Sequence, residues 1–293
     1  MSMKLRMDKG SVRKYNSILL YSHITLVIMF TMLVGLSSAI QLKRYDLLSL
    51  VVAILCTFML YQAANVIEWV RFGKYRPFES AGVRNFKVFG NALLVISFMG
   101  LILLTRTYPE FKAPIYLSMA LSLAFAFLRA LVLEPMSVGV NATVKSFILN
   151  RLIVAVLYGV FGALVPLAFT EATFQPLTVF VMMYEALLIF IGGILWSVDL
   201  LPSHLVKQLN TQQFAHSMML MCFVLMALTI IASIFGLIHK SYLILLILPF
   251  FGQLIVRGLW MDWRERSKKL WGYVMVIFIL MVVIQVYFLA FPT

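Results

Sequence analysis

The sequence predicts an all-α polytopic membrane protein, with nine transmembrane helices around a central cavity and a cytoplasmic N-terminus. Of 293 residues, 63% are hydrophobic and 12% charged, with a mean hydropathy of +0.99. That balance excludes an ordinary soluble core. Stretches of about twenty apolar residues recur along the whole chain, each long enough to cross a hydrocarbon layer roughly 30 Å thick. Backbone polar groups in lipid must be satisfied within the segment, so these stretches are helices. The alternating ten-residue segments of a membrane barrel are missing. The third observation is charge: the formal net charge is +13, and its cations gather in alternate connections rather than in one nucleic-acid-binding patch.

Taken in order, the expected spans are 17–40, 47–70, 86–105, 113–134, 149–170, 175–197, 215–238, 241–259 and 270–291. The basic start before Asn16 resembles the head of a signal peptide, but no small-residue cleavage site follows the first apolar run, so that run is expected to stay as a span. Connections near 41–46, 106–112, 171–174 and 239–240 are short. With the N-terminus inside, these outer segments hold only Lys43, Arg44, Arg106, Lys112 and Lys240. The other 19 of the 24 lysines and arginines (24 − 5) fall on the inner side, the asymmetry of an oriented membrane protein. No long soluble segment interrupts the pattern, so residues 1–293 are expected to form a single transmembrane domain. The compact loops suggest a bacterial cytoplasmic membrane.

Cys56 and Cys222 sit inside apolar segments and read as small buried hydrophobes. Tyr45, Trp196, Trp260 and Trp263, near span ends, fit the interfacial aromatic belt. The 18 methionines and 24 phenylalanines serve as lipid-facing and packing residues. A Met-rich interior also suits an isoprenoid tail, and composition leaves both readings open.

The polar residues carry the functional signal. Span two ends in Gln62-Ala-Ala-Asn65-Val-Ile-Glu68-Trp-Val-Arg71, and a basic loop follows with Lys74, Arg76, Pro77, Glu79 and Gly82. Asn65 and Glu68 are three residues apart and share a helix face, with Arg71 one turn further toward water. Glu185 lies in the middle of span six and Asp199 just past its inner end. An intramembrane acid suggests a site; for Glu185, a structural carboxyl holding two helices and a functional one are both open. Arg129 with Glu134 reads as a structural ion pair or as interfacial snorkelling. Asn150 and Arg151 open span five. His23 and His216 lack metal-ligand spacing. Arg264-Glu265-Arg266 with Lys268-Lys269 reads as an orientation signal beside anionic headgroups.

Nine spans with polar motifs after the second and sixth resemble the UbiA superfamily of membrane prenyltransferases. In that superfamily an Asn precedes Asn-Asp-x-x-Asp, and the next loop carries Arg-Pro-x-x-Ser-Gly. Here Asn65 is followed by Ile67-Glu68-x-x-Arg71, then Arg76-Pro77-Phe78-Glu79-Ser80-Ala81-Gly82. After span six the superfamily has Asp-x-x-x-Asp; here stands Asp199-Leu-Leu-Pro-Ser203, then His204 and Lys207. The resemblance implies transfer of a polyprenyl group from its diphosphate to a lipophilic aromatic or quinone-precursor acceptor, with no nucleic-acid partner. It implies Mg²⁺ held by Glu68 and Asp199, which also serve as the catalytic residues. Asn65, Arg71, Lys74, Arg76 and Lys207 would bind diphosphate, and Gln62, Glu185 and Asn150 would line the substrate cavity. Arg71 and Ser203 depart from the pattern, standing where partner acids would be, so cations take over part of the metal's charge or transfer is lost. Three functions follow: a prenyltransferase of quinone biosynthesis, a relative that binds isoprenoid or quinone without transfer, and an ion-coupled transporter using Glu185 and Glu68.

Overall fold

The computed structural model describes residues 27–72, 81–133, 143–170, 173–197, 211–261 and 266–291, with side chains described at 27–67, 70, 91–132, 143–170, 173–193, 215–258 and 276–291. Among the described residues all regular structure is helical. The α-helices are α1 (Val27–Leu42), α2 (Leu47–Phe72), α3 (Ala81–Thr107), α4 (Lys112–Leu128), α5 (Val144–Ala168), α6 (Pro176–Ser197), α7 (Thr211–Ile234), α8 (Ile247–Met261) and α9 (Arg266–Ala290). Short 3-10 turns at Pro109–Phe111 and Lys240–Leu246 lead into α4 and α8.

Six helical stretches are long and apolar enough to cross a membrane: Leu47–Ile67, Pro109–Val132, Val144–Ala168, Pro176–Gly193, Ala215–Ile234 and Lys240–Gly258. At the other three expected spans the described apolar helices, Val27–Leu42, Asn91–Thr107 and Val276–Ala290, are shorter. This is the build of an all-α polytopic membrane protein. Its outer surface agrees: Val95, Met99 and Leu103, spaced four apart on α3, are 61%, 58% and 64% exposed. A stripe of that kind suits lipid and not water.

The chain divides into two compact units, the first Met1–Thr31 with Val51–Leu133, the second Met32–Leu50 with Glu134–Thr293. In the first, the thiol of Cys56 on α2 shares a hydrogen bond with Ser122 on α4, and Arg129 lies over Tyr61. Residue numbers rise in the same direction on both helices, so α2 and α4 run parallel, as they must if α3 returns between them. In the second unit α5 and α6 form a tight antiparallel pair. A Cβ on Gly159 would lie 2.7 Å from the Ala186 nitrogen and 2.8 Å from the Met182 oxygen. Gly159 and Ala163 thus form the small-x-x-x-small surface that lets helix backbones touch.

Helix ends follow local chemistry. Lys43 ends α1 in the left-handed region, φ 56°, and the Ser38 hydroxyl secures the turn by donating to the Arg44 oxygen at 2.8 Å and accepting from the Asp46 nitrogen at 3.1 Å. Asp46 caps α2, accepting from the Ser49 nitrogen at 3.1 Å. At α5 the expected start, 149, is five residues late. Thr143 and Ser146 form a reciprocal capping box that begins the helix at Val144, so Asn150 and Arg151 lie two turns inside rather than at its opening. At its other end α4 widens into a π-turn at Arg129–Leu133, where Glu134-Pro135 makes regular α geometry unfavourable. The expected end of the seventh span, 238, moves back to Ile234. Gly236 at φ 70° donates to the Ser233 oxygen while Leu237 donates to that of Ala232, closing a Schellman turn.

Candidate functional site

Two polar centres emerge, one in each unit. The first follows the C-terminal half of α2. Tyr61, Asn65 and Glu68, at steps of four and three, fall on one face of this helix. Tyr61 is buried, and the Arg129 guanidinium lies over its ring, 4.5 Å from the centroid. The Asn65 amide nitrogen is 3.4 Å from Oε1 of Gln62, and both side chains are half-buried. Helix α2 runs on to Phe72, carrying Glu68 and Arg71 on the same unbroken rod. The side chains of Glu68 and Arg71, and all of Lys74, Arg76, Asp199 and Lys207, lie outside the described residues.

Sequence reasoning grouped Arg129 with Glu134 and missed its neighbour on α2; Glu134 also lies outside the described residues. The signal available in the sequence was the Glu134-Pro135 pair at the end of an apolar helix. It predicts an irregular last turn, and irregular turns inside helices occur frequently at functional sites. There the Arg129 guanidinium meets the Tyr61 ring of α2. A guanidinium stacks on aromatic faces and is a planar fork of donors whose geometry matches phosphate oxygens.

The second centre lies in the other unit, around Glu185. This residue is fully buried, at 0% exposure, about 14 Å into α6 at 1.5 Å per residue. Ser37 of α1 donates its hydroxyl to Glu185 Oε1 at 2.7 Å, and Oε2 has no hydrogen-bond partner among the described residues. One turn further along α1, Gln41 donates its amide to the Ala163 oxygen of α5 at 2.9 Å. Its own Oε1 is buried and likewise unpartnered among the described residues. The adjacent Tyr184 is buried and donates to the Leu245 oxygen at 2.6 Å. Gln285 of α9 completes the frame, donating to the Met32 oxygen at 2.8 Å and accepting from the Tyr45 hydroxyl at 2.9 Å.

At the end of α1, the Lys43 ammonium donates to the Tyr242 hydroxyl at 2.5 Å and lies over the Tyr242 and Phe288 rings. Burial holds that ammonium below the usual lysine range and pushes the Tyr45 phenol above its own. Asn150 is buried. It lies nine residues before Gly159, the point on α5 level with Glu185, so these two of the three expected cavity residues stand about 14 Å apart along the helix pair. Among the described residues no three His, Cys, Asp or Glu side chains cluster as metal ligands. The chain matches no family model, no curated protein and no solved structure.

Proposed function

We propose that this chain is a membrane prenyltransferase-like protein of nine spans, which receives a polyprenyl diphosphate at the inner end of α2 and passes the prenyl group to a lipophilic aromatic or quinone-precursor acceptor. The observation that supports it most is Arg129 over Tyr61. It adds a guanidinium to the face that carries Asn65 and Glu68 and leads into Arg71, Lys74 and Arg76. A diphosphate is a dense dianionic or trianionic head, and bidentate guanidinium contacts hold such groups best. In the reaction the allylic carbon–oxygen bond breaks and diphosphate leaves with the electron pair. The acceptor ring then supplies two electrons to the cation and loses a proton. The protein lowers this barrier by stabilising charge on the departing diphosphate, a task for prearranged cations.

Mg²⁺ belongs to the proposal, with Glu68 and Asp199 as its expected ligands, and would supply further charge to the leaving group. Its donor set is thin, since the one carboxylate on α2 has Arg71 three residues on, where a second acid would stand. Mg²⁺ requires an octahedron of oxygens, more than Glu68 and Asp199 would supply by themselves. The same thinness favours a second reading, binding of the isoprenoid without transfer. The test is equilibrium binding of radiolabelled geranylgeranyl diphosphate to the purified chain in detergent. Saturable binding that weakens at least about tenfold in Arg129→Ala is expected, the scale of one charge-assisted contact. Equal binding by Arg129→Ala would remove the observation on which the reading rests.

A further inference from the structure

We propose that Glu185 is the anionic ligand of a small monovalent cation, Na⁺ by preference, bound between α1, α5 and α6. Two acceptor oxygens, Glu185 Oε2 and Gln41 Oε1, are buried without a hydrogen-bond partner among the described residues. Each such atom is costly to leave alone. Their anchors are one turn apart on one face of α1: Ser37 holds the other oxygen of Glu185 at 2.7 Å, and Gln41 is fixed to Ala163 at 2.9 Å. In each residue one polar atom is held by a hydrogen bond while a buried acceptor oxygen is left over.

A third oxygen source lies beside them. Pro166 stands within α5 and has no N–H to give the Gly162 carbonyl, which therefore lacks its helix partner. Gly162 directly precedes Ala163, the residue that Gln41 binds. Carboxylate, amide and freed helix carbonyl are the hard oxygen donors that membrane proteins use for alkali cations near the bilayer midplane. Charge decides the valence. One carboxylate neutralises one positive charge, whereas a divalent ion would leave a net charge in lipid. Closure excludes a larger ligand: at 0% exposure, Glu185 has no surface open to an organic molecule. Neither acid of the proposed transfer chemistry takes part, so this site stands or falls independently of it.

The experiment is ²²Na⁺ binding to the purified full-length chain in detergent at fixed ionic strength, with thermal melts in NaCl, KCl and choline chloride run in parallel. One saturable Na⁺ site per chain is expected, with a melting temperature that climbs with NaCl and not with choline chloride. Gln41→Leu should weaken binding at least about tenfold, the scale on which even supporting partners of a metal act. Glu185→Gln should abolish it. Should Glu185→Gln fail to fold, Gln41→Leu and Ser37→Ala carry the test. Absence of saturable uptake, uptake unchanged in Gln41→Leu, or melting that responds to pH alone would each overturn the proposal; the last would mean a proton and nothing more occupies Glu185.

Discussion

Glu185 and Gly159 are the two residues on which the second unit is assembled, one through polarity and the other through the lack of a side chain. An acid sealed in an apolar bundle specifies its neighbours, since few arrangements offer it a donor; here Ser37 does so across 148 positions of sequence. Gly159 specifies distance. A Cβ there would meet backbone atoms of α6 at 2.7–2.8 Å, and backbone cannot move aside as a flexible side chain can. Gly159→Ala is therefore expected to destabilise the α5–α6 pair by about 1–3 kcal/mol, the usual cost of overpacking, seen as a lower melting temperature in detergent. An unchanged melting temperature would mean that the two helices are not held at that spacing. At this scale the sequence singled out Glu185 and Arg129, because charge in an apolar stretch is conspicuous. It did not reveal their partners. Ser37 and Tyr61 are ordinary residues in their own segments, and only tertiary packing brings them to the acid and the guanidinium.

Among the elements, α5 shows how a boundary is decided. Hydropathy rises near 149, but the helix begins where Thr143 and Ser146 can satisfy each other's backbone groups. Thr143→Ala should cost about 1 kcal/mol and fray the first turn, readable as faster amide exchange at 144–147 with the rest of α5 unchanged. Exchange unaltered there would show that packing, and not the cap, holds the end. Spans two, four, five, six, seven and eight were legible because apolar length is a property of local sequence. The π-turn after Leu128 and the 3-10 entry at Lys240–Leu246 were not. Each depends on hydrogen-bond choices at a helix end, where several geometries differ by little and neighbouring helices decide. Helix α2 lies between these cases: the polar face of its C-terminal half could be read from spacing, whereas the cation beside it comes from the π-turn after α4.

For the whole molecule, the distribution of cations predicts which connections share a side of the membrane. Cys56 and Cys222 are free and buried, so introduced cysteines can be read against a low background. In Lys43→Cys and Lys240→Cys, an impermeant maleimide should react from outside intact cells; in Lys74→Cys and Lys207→Cys it should react only after permeabilisation. Labelling of all four from one side would contradict the alternating nine-span topology. The most direct measurement of the proposed function is prenyl transfer itself, made with the purified chain in lipid, a labelled polyprenyl diphosphate, a panel of phenolic and quinone-precursor acceptors, and millimolar Mg²⁺. Labelled prenylated acceptor should form with the unaltered chain and fall by at least about a hundredfold in Glu68→Gln and Asp199→Asn, a loss of about 2.7 kcal/mol in transition-state stabilisation. No product with any acceptor, or equal product from both variants, would contradict it.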